Sequence, residues 1–332
     1  MRVTVPKVAL IGTGGTIGST GFHSLDLVEY LGPMLSIQEL LAKVPECFEV
    51  ADIVTVEHSV ISSDAIGISD WLSLTRLIET TAREHADLAG IVVTHGTATM
   101  EETAYFLNLA LNVDIPIVIV GAQRPITGLS SDASMNLFSA MRVAASEAVR
   151  GLGVLVVMNE QIHAARDVTK RAVFRLDAFE SPSFGVLGHT DLDAIHIYRT
   201  PVRKHTTETE FSVGECQSLP RVDIVSSYAD ADGAAVEAFV AAGARGLVVS
   251  ALAPGAAPPK QNGALLKAID AGVAVVYTTR AGAGRTLKLA ESQARGSITA
   301  DNLNAQKARV LLMLALIEDA DAARLQRIFD TY

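Results

Sequence analysis

Three short stretches of this sequence bring together hydroxyls, glycines and a lysine in patterns suited to nucleophilic chemistry. The first is Gly12-Thr13-Gly14-Gly15-Thr16-Ile17-Gly18, directly after the apolar run Val8–Ile11. Glycines let backbone approach a ligand closely, and N–H groups at the carboxyl end of a strand suit an anion or oxyanion. A dinucleotide fingerprint is not met, because Ile17 occupies its third position and no acidic residue follows at the tip of a second strand. A phosphate-binding Walker loop is not met either, since no Gly-Lys-Ser/Thr follows. What remains is a glycine turn carrying two hydroxyls, Thr13 and Thr16.

The second stretch runs from Val92 through Thr94-His95-Gly96-Thr97-Ala98-Thr99-Met100-Glu101-Glu102-Thr103 and joins an apolar strand to a helix. Thr99 or a neighbour is expected to cap that helix, and Glu101 and Glu102 suit its first turn electrostatically. Thr97 then falls on the same rim as Thr16. His95 reads as a structural histidine, not as a base. The third stretch is Ala165-Arg166-Asp167-Val168-Thr169-Lys170. A lysine drawn out of water loses its proton more readily and can serve as a base, and a threonine hydroxyl is a weak nucleophile without one. Arg166 and Asp167 are expected to pair locally.

These loops need a frame. Val8–Ile11, Ile53–Val56, Gly90–Val93, Ile115–Val120 and Val154–Met158 read as buried strands. Ile37–Ala42, Trp71–Thr81, Met100–Leu111 and Ala133–Ala148 carry apolar residues at helical spacing. Alternation of this kind implies α/β architecture: a mainly parallel sheet with helices on both faces and functional loops at its carboxyl edge. His189–Arg203 reads as a strand pair, and the polar stretch 204–220 as a linker closing an N-terminal domain over 1–203. A smaller C-terminal α/β domain over 221–332 restarts the pattern. Its strands are Val222–Val225, Gly246–Val249 and Val273–Tyr277, and its helices Ala234–Ala242, Gly263–Ala271, Asn304–Leu316 and Ala322–Phe329.

Composition narrows the functional classes. Of 332 residues 49% are hydrophobic and 19% charged, which excludes wholesale disorder. The formal net charge is −10 without a basic block, so no electrostatic footprint for nucleic acid or anionic lipid is expected. No apolar stretch approaches the ~20 residues of a membrane span, and no secretory leader is read at the N-terminus, so the expected location is the cytoplasm. Cys47 and Cys216 read as buried thiols, not a disulfide framework. The scattered histidines lack ligand spacing, and neither metal nor cofactor is expected.

Taken together, the Gly-Gly-Thr-Ile turn, Thr-His-Gly-Thr-x-Thr-Met-Glu-Glu-Thr-Ala and Arg-Asp-Val-Thr-Lys resemble the bacterial L-asparaginases and glutaminase-asparaginases. The resemblance extends through Gly121-Ala122-Gln123-Arg124-Pro125 and Ser131-Asp132 to Asn302–Arg309 and Gln326–Phe329, nearly the whole chain. It implies a two-domain asparaginase-like fold and amide hydrolysis through an acyl-enzyme ester. Thr16 is implied as nucleophile, Thr97 as the second threonine and Lys170 as its proton-transfer partner. Tyr30 corresponds to the lid tyrosine, at a different spacing. Ser63, Asp64, Ala98 and Ala122 fall at substrate-binding positions. A homotetramer of paired dimers acting on a small-molecule amide is implied as well.

The chain departs from the family pattern at Thr97-Ala98, where the family reads Thr-Asp and uses the aspartate to hold the substrate's α-ammonium. Losing such a charge-assisted partner costs about 1.5–3 kcal/mol. The loop Ala253-Pro254-Gly255-Ala256 also lacks the amide expected there. Four readings follow. The first is hydrolysis of L-asparagine, with Asp64 serving the ammonium. The second is the same chemistry on a carboxamide or imide without an α-amino group. The third is a non-catalytic amino-acid-binding member, and the fourth an amidotransferase subunit. A nucleophile and a base kept on one rim argue against binding alone, and no docking extension favours the fourth.

Overall fold

The computed structural model describes residues 5–58, 60–290 and 294–332. The chain divides into two compact units, 1–214 and 215–332. Strands of the first unit are β1 (Lys7–Gly12), β2 (Asp52–Glu57), β3 (Leu88–Thr94), β4 (Ile117–Val120), β5 (Val154–Met158), β6 (Gln161–Ala164), β7 (Thr169–Lys170), β8 (Phe179–Glu180), β9 (Gly188–Thr190) and β10 (Ile195–Ile197). Eight of them form one sheet in the order β10-β9-β6-β5-β4-β3-β1-β2, and β7 and β8 make a separate antiparallel pair. From β2 to β5 every pairing is parallel; from β5 to β10 every pairing is antiparallel. The sheet is therefore mainly parallel with an antiparallel edge.

Helices α1 (Ile37–Lys43), α2 (Cys47–Val50), α3 (Ile68–Glu84), α4 (Met100–Ala110) and α5 (Ala133–Ala144) flank this sheet. The strands read as unbroken apolar runs because both faces are covered. Val8, Leu10, Val92, Val118 and Leu155 pack with Leu40 and Leu41 of α1 and Leu137, Ala140 and Met141 of α5. α3 and α4 are joined by the stacked rings of Trp71 and Phe106, 5.1 Å apart. Helix α1 begins where it does because Ser36 and Glu39 cap it reciprocally.

In the second unit, β11 (Val222–Ser226), β12 (Gly246–Ala251), β13 (Ala274–Thr279) and β14 (Ile298–Thr299) form a parallel sheet in chain order. Among the described residues its helices are α6 (Ala234–Ala241), α7 (Pro259–Asp270), α8 (Ala305–Ala315) and α9 (Ala322–Thr331). Val236, Leu265 and Ala268 close a core over Leu247, Val249 and Val275. Asn304 and Asp321 cap α8 and α9 through their side chains. No helix among the described residues is long and apolar enough to cross a membrane.

Several boundaries differ from the sequence reading for local reasons. β4 starts at Ile117 rather than Ile115, since Pro116 has no N–H to give the ladder. α5 stops at Ala144, not Ala148, because the Ser146 hydroxyl takes the Ala148 N–H and starts a separate 3₁₀ turn over Glu147–Val149. α7 begins earlier than Gly263, with Pro259 at its first position. Within 204–220, a 3₁₀ turn over Thr206–Glu208 is followed by Thr209, whose hydroxyl donates to the Leu109 carbonyl of α4 at 2.7 Å. Cys47 is buried, its thiol pushed up to about 12 by desolvation, but Cys216 is only partly buried, against expectation.

Candidate active site

In the parallel part of the large sheet, β1 connects outward to β2 and the chain then returns past β1 to β3, β4 and β5. The order reverses between β1 and β3, and ligands bind in the crevice outside the carboxyl ends of strands at such a point. The turn after β1 carries Thr16 and the turn after β3 carries Thr97, so the topology sets both hydroxyls beside that crevice.

Close backbone contact draws these turns together. Gly15 has φ +91°, and a Cβ there would stand 2.4 Å from the Gly96 nitrogen and 2.8 Å from the His95 carbonyl carbon. Only glycine lets the two turns approach this closely. The Thr13 hydroxyl donates to the Thr94 carbonyl at 2.6 Å, fastening the same turns a second time. Gly96 is packed from its other side by Ser63, whose Oγ would lie 2.5 Å from an added Cβ. A Cβ on Gly121 would meet the His95 carbonyl oxygen at 2.5 Å and the Thr97 methyl at 3.2 Å, which brings the loop after β4 into the cluster.

Thr16 opens a 3₁₀ turn over Thr16–Gly18, and its hydroxyl lies 3.2 Å from the Tyr30 hydroxyl. Thr97 is buried, and Lys170 Nζ donates to its Oγ1 at 2.7 Å. Burial holds the Lys170 ammonium pKa below the usual lysine range, with desolvation as the cause. Arg166 and Asp167, upstream of Lys170, form the expected local pair at 3.4 Å. The β7–β8 pairing, with Thr169 opposite Glu180 and Lys170 opposite Phe179, fixes the register of the lysine.

The remaining residues separate into contacts of different kinds. Ser63 is buried; its Oγ accepts from the Ala98 N–H at 3.2 Å and its carbonyl accepts from the Thr99 hydroxyl at 2.6 Å. Thr99 takes the N-cap position of α4, as expected, but its hydroxyl fastens the loop carrying Ser63 and makes no capping hydrogen bond. Ala98 is exposed on the rim. Asp64 is exposed too, and the Ser62 hydroxyl donating to its carboxylate lowers its pKa. Ala122, expected among the substrate-binding positions, has no exposed surface and packs in the core at the loop after β4. His95 is fully buried with its pKa lowered to about 4 by desolvation, against which its hydrogen bond to the Gly96 carbonyl at 2.7 Å works.

Asn136 was not singled out from sequence. Its amide donates to the Gly121 carbonyl at 3.0 Å and the Asp132 carboxylate at 2.9 Å, and its oxygen accepts from the Asn159 N–H at 2.9 Å. Asp132 also accepts from the Gln123 and Arg124 N–H groups. The trace of this network in sequence is Asp132-x-x-x-Asn136, two polar residues at helical spacing where α5 begins. Among the described residues no cluster of His, Cys, Asp or Glu is arranged to hold a metal.

Residues 7–203 match the family model described as "Asparaginase, N-terminal", and residues 221–329 match "Glutaminase/Asparaginase C-terminal domain". L-asparaginase 2 of Escherichia coli (strain K12) is 38% identical over 99% of this chain and 94% of its own length. Glutaminase-asparaginase of Pseudomonas fluorescens biotype A is 36% identical over 100% of this chain and 92% of its own. The crystal structure of probable cytoplasmic L-asparaginase from Campylobacter jejuni superposes with a TM-score of 0.93 at 37% identity, covering 98% of this chain and 100% of that one. The chain belongs to the asparaginase family and is an amidohydrolase.

Proposed function

We propose that the protein cleaves the side-chain amide of L-asparagine, giving L-aspartate and ammonia through an ester on Thr16. What carries this reading is the Lys170 amine 2.7 Å from the Thr97 hydroxyl, on the rim where the Gly15–Gly96 contact brings the Thr16 turn. Thr16 Oγ1 bonds to the amide carbon, its proton leaving through the Tyr30 hydroxyl within hydrogen-bond reach. The carbon–nitrogen bond breaks, and the leaving nitrogen takes that proton to depart as ammonia. Water then attacks the ester carbon, passing a proton to the Thr97–Lys170 pair, and that proton returns to Thr16 Oγ1 as the ester bond breaks and the acid leaves. N–H groups around Thr97 serve as donors to the oxyanion formed in each step.

Trapping a substrate-derived mass on Thr16 after rapid quench, with ammonia released in equal amount, tests this course. A wild-type enzyme that releases ammonia while Thr16→Ala retains full turnover would overturn it.

Location and assembly belong to the same proposal. The name of the Campylobacter jejuni structure supports a cytoplasmic site of action, to be checked by fractionating cells of the source organism. A homotetramer is supported by apolar side chains left exposed on the chain, among them Val173, Phe174, Leu192 and Val202. Sedimentation of the active enzyme as a monomer would refute it.

A further inference from the structure

Lys170 meets Thr97 from β7, and β7 with β8 forms a pair of its own outside the eight-stranded sheet. Two residues a side give such a hairpin little stability in isolation, so its place depends on how it is fastened. At its entry the Asp167 and Val168 N–H groups donate to the Ala164 carbonyl, at 3.0 and 3.1 Å, and turn the chain off the end of β6. The Arg171 N–H donates to the Ala178 carbonyl at 2.6 Å, and the chain returns through β8. Directly after β8, Ser181 Oγ is hydrogen-bonded to His163 Nδ1 of β6 at 2.9 Å. The segment that carries Lys170 thus leaves the sheet beside His163 and is clasped back to it 18 residues later.

Both side chains of the clasp are buried, and Ala178 and Phe179 bury the returning strand next to it. A hydrogen bond sealed from water is not readily exchanged for one to solvent, so deleting one partner strands a buried polar atom of the other. We propose that His163 and Ser181 are positioning residues for the reaction: their hydrogen bond holds the β7–β8 pair where the Lys170 amine reaches the Thr97 hydroxyl. This rests on the role given to Lys170 above. A reacting group displaced by about 1 Å can cost on the order of 10²-fold in rate, so a contact remote from the chemistry reaches turnover through the lysine it places.

Ser181→Ala removes one oxygen, and thermal melting checks that the variant is folded. Its kcat for L-asparagine should fall about tenfold with KM within about twofold, and Ser181→Thr, which restores the hydroxyl, should recover most of the loss. In a Lys170→Met background Ser181→Ala should lower kcat no further, because the clasp acts through the lysine. His163→Asn, which keeps a hydrogen-bonding group near the place of Nδ1, should lose less than His163→Leu; equal losses would count against the hydrogen bond. Wild-type kcat in folded Ser181→Ala, or the same fractional loss with and without Lys170, would overturn the inference while leaving the hydrolase reading intact. Full turnover in Lys170→Met would overturn the role of Lys170 and this inference with it.

Discussion

Lys170 Nζ lies 2.7 Å from Thr97 Oγ1, although 73 residues separate them in the chain. One arrives on a two-residue strand held by β8, the other in the turn that follows β3. Burial depresses the basicity of the amine and the contact directs it at a hydroxyl, which is the combination a general base requires.

The acidic limb of the pH–activity profile should therefore fall below the ordinary lysine range, with activity rising as Lys170 loses its proton. Lys170→Met should remove that limb and lower kcat by about 10²–10⁴-fold. A limb unchanged in Lys170→Met would assign it to another group.

Tyr30 Oη is the hydrogen-bond partner of Thr16 Oγ1, at 3.2 Å. Tyr30→Phe keeps the ring and deletes the hydroxyl, so kcat should fall about two- to tenfold, the worth of one neutral hydrogen bond. Steady-state kinetics with kcat unaltered would remove Tyr30 from the proton path.

Gly15→Ala places a Cβ 2.4 Å from the Gly96 nitrogen at a φ that L-residues rarely adopt. Separation of the Thr16 and Thr97 turns should lower stability by more than about 1 kcal/mol and reduce turnover. Thermal melting and ammonia release on the same sample would check both; a variant as stable and active as wild type would show that the contact yields easily.

His95 stays neutral in the fold down to about pH 4, whereas an unfolded histidine takes its proton near 6.5. The unfolded state thus binds the extra proton first, and stability should fall as pH drops from 6.5 to 4, then level off. The contribution of His95 is on the order of 3 kcal/mol. Burial also lowers His58 and His205, so the comparison that isolates His95 is denaturant unfolding of wild type against His95→Gln across this window. Parallel curves would sink the assignment.

The sequence by itself determined the layers of the fold. Strands such as Val8–Ile11 and Val154–Met158 were legible because a parallel strand covered on both faces must be apolar without interruption. The Gly12–Gly18 and Thr94–Thr103 loops stood out for the same local reason: turn glycines and hydroxyls break that apolar pattern. Only the tertiary structure decided what each side chain touches. Thr99 suits a helix cap by type, yet its hydroxyl goes to the Ser63 carbonyl from a distant loop. Ala122 carries a family motif but is sealed in the core. β7 and β8, two residues each, leave no periodicity to read, although their pairing orients the lysine. Tyr30 reaches Thr16, and Lys170 is drawn partly out of water, through packing between segments remote in the chain. Spacing reports which residues share an element; contact and desolvation arise only when the elements close on one another.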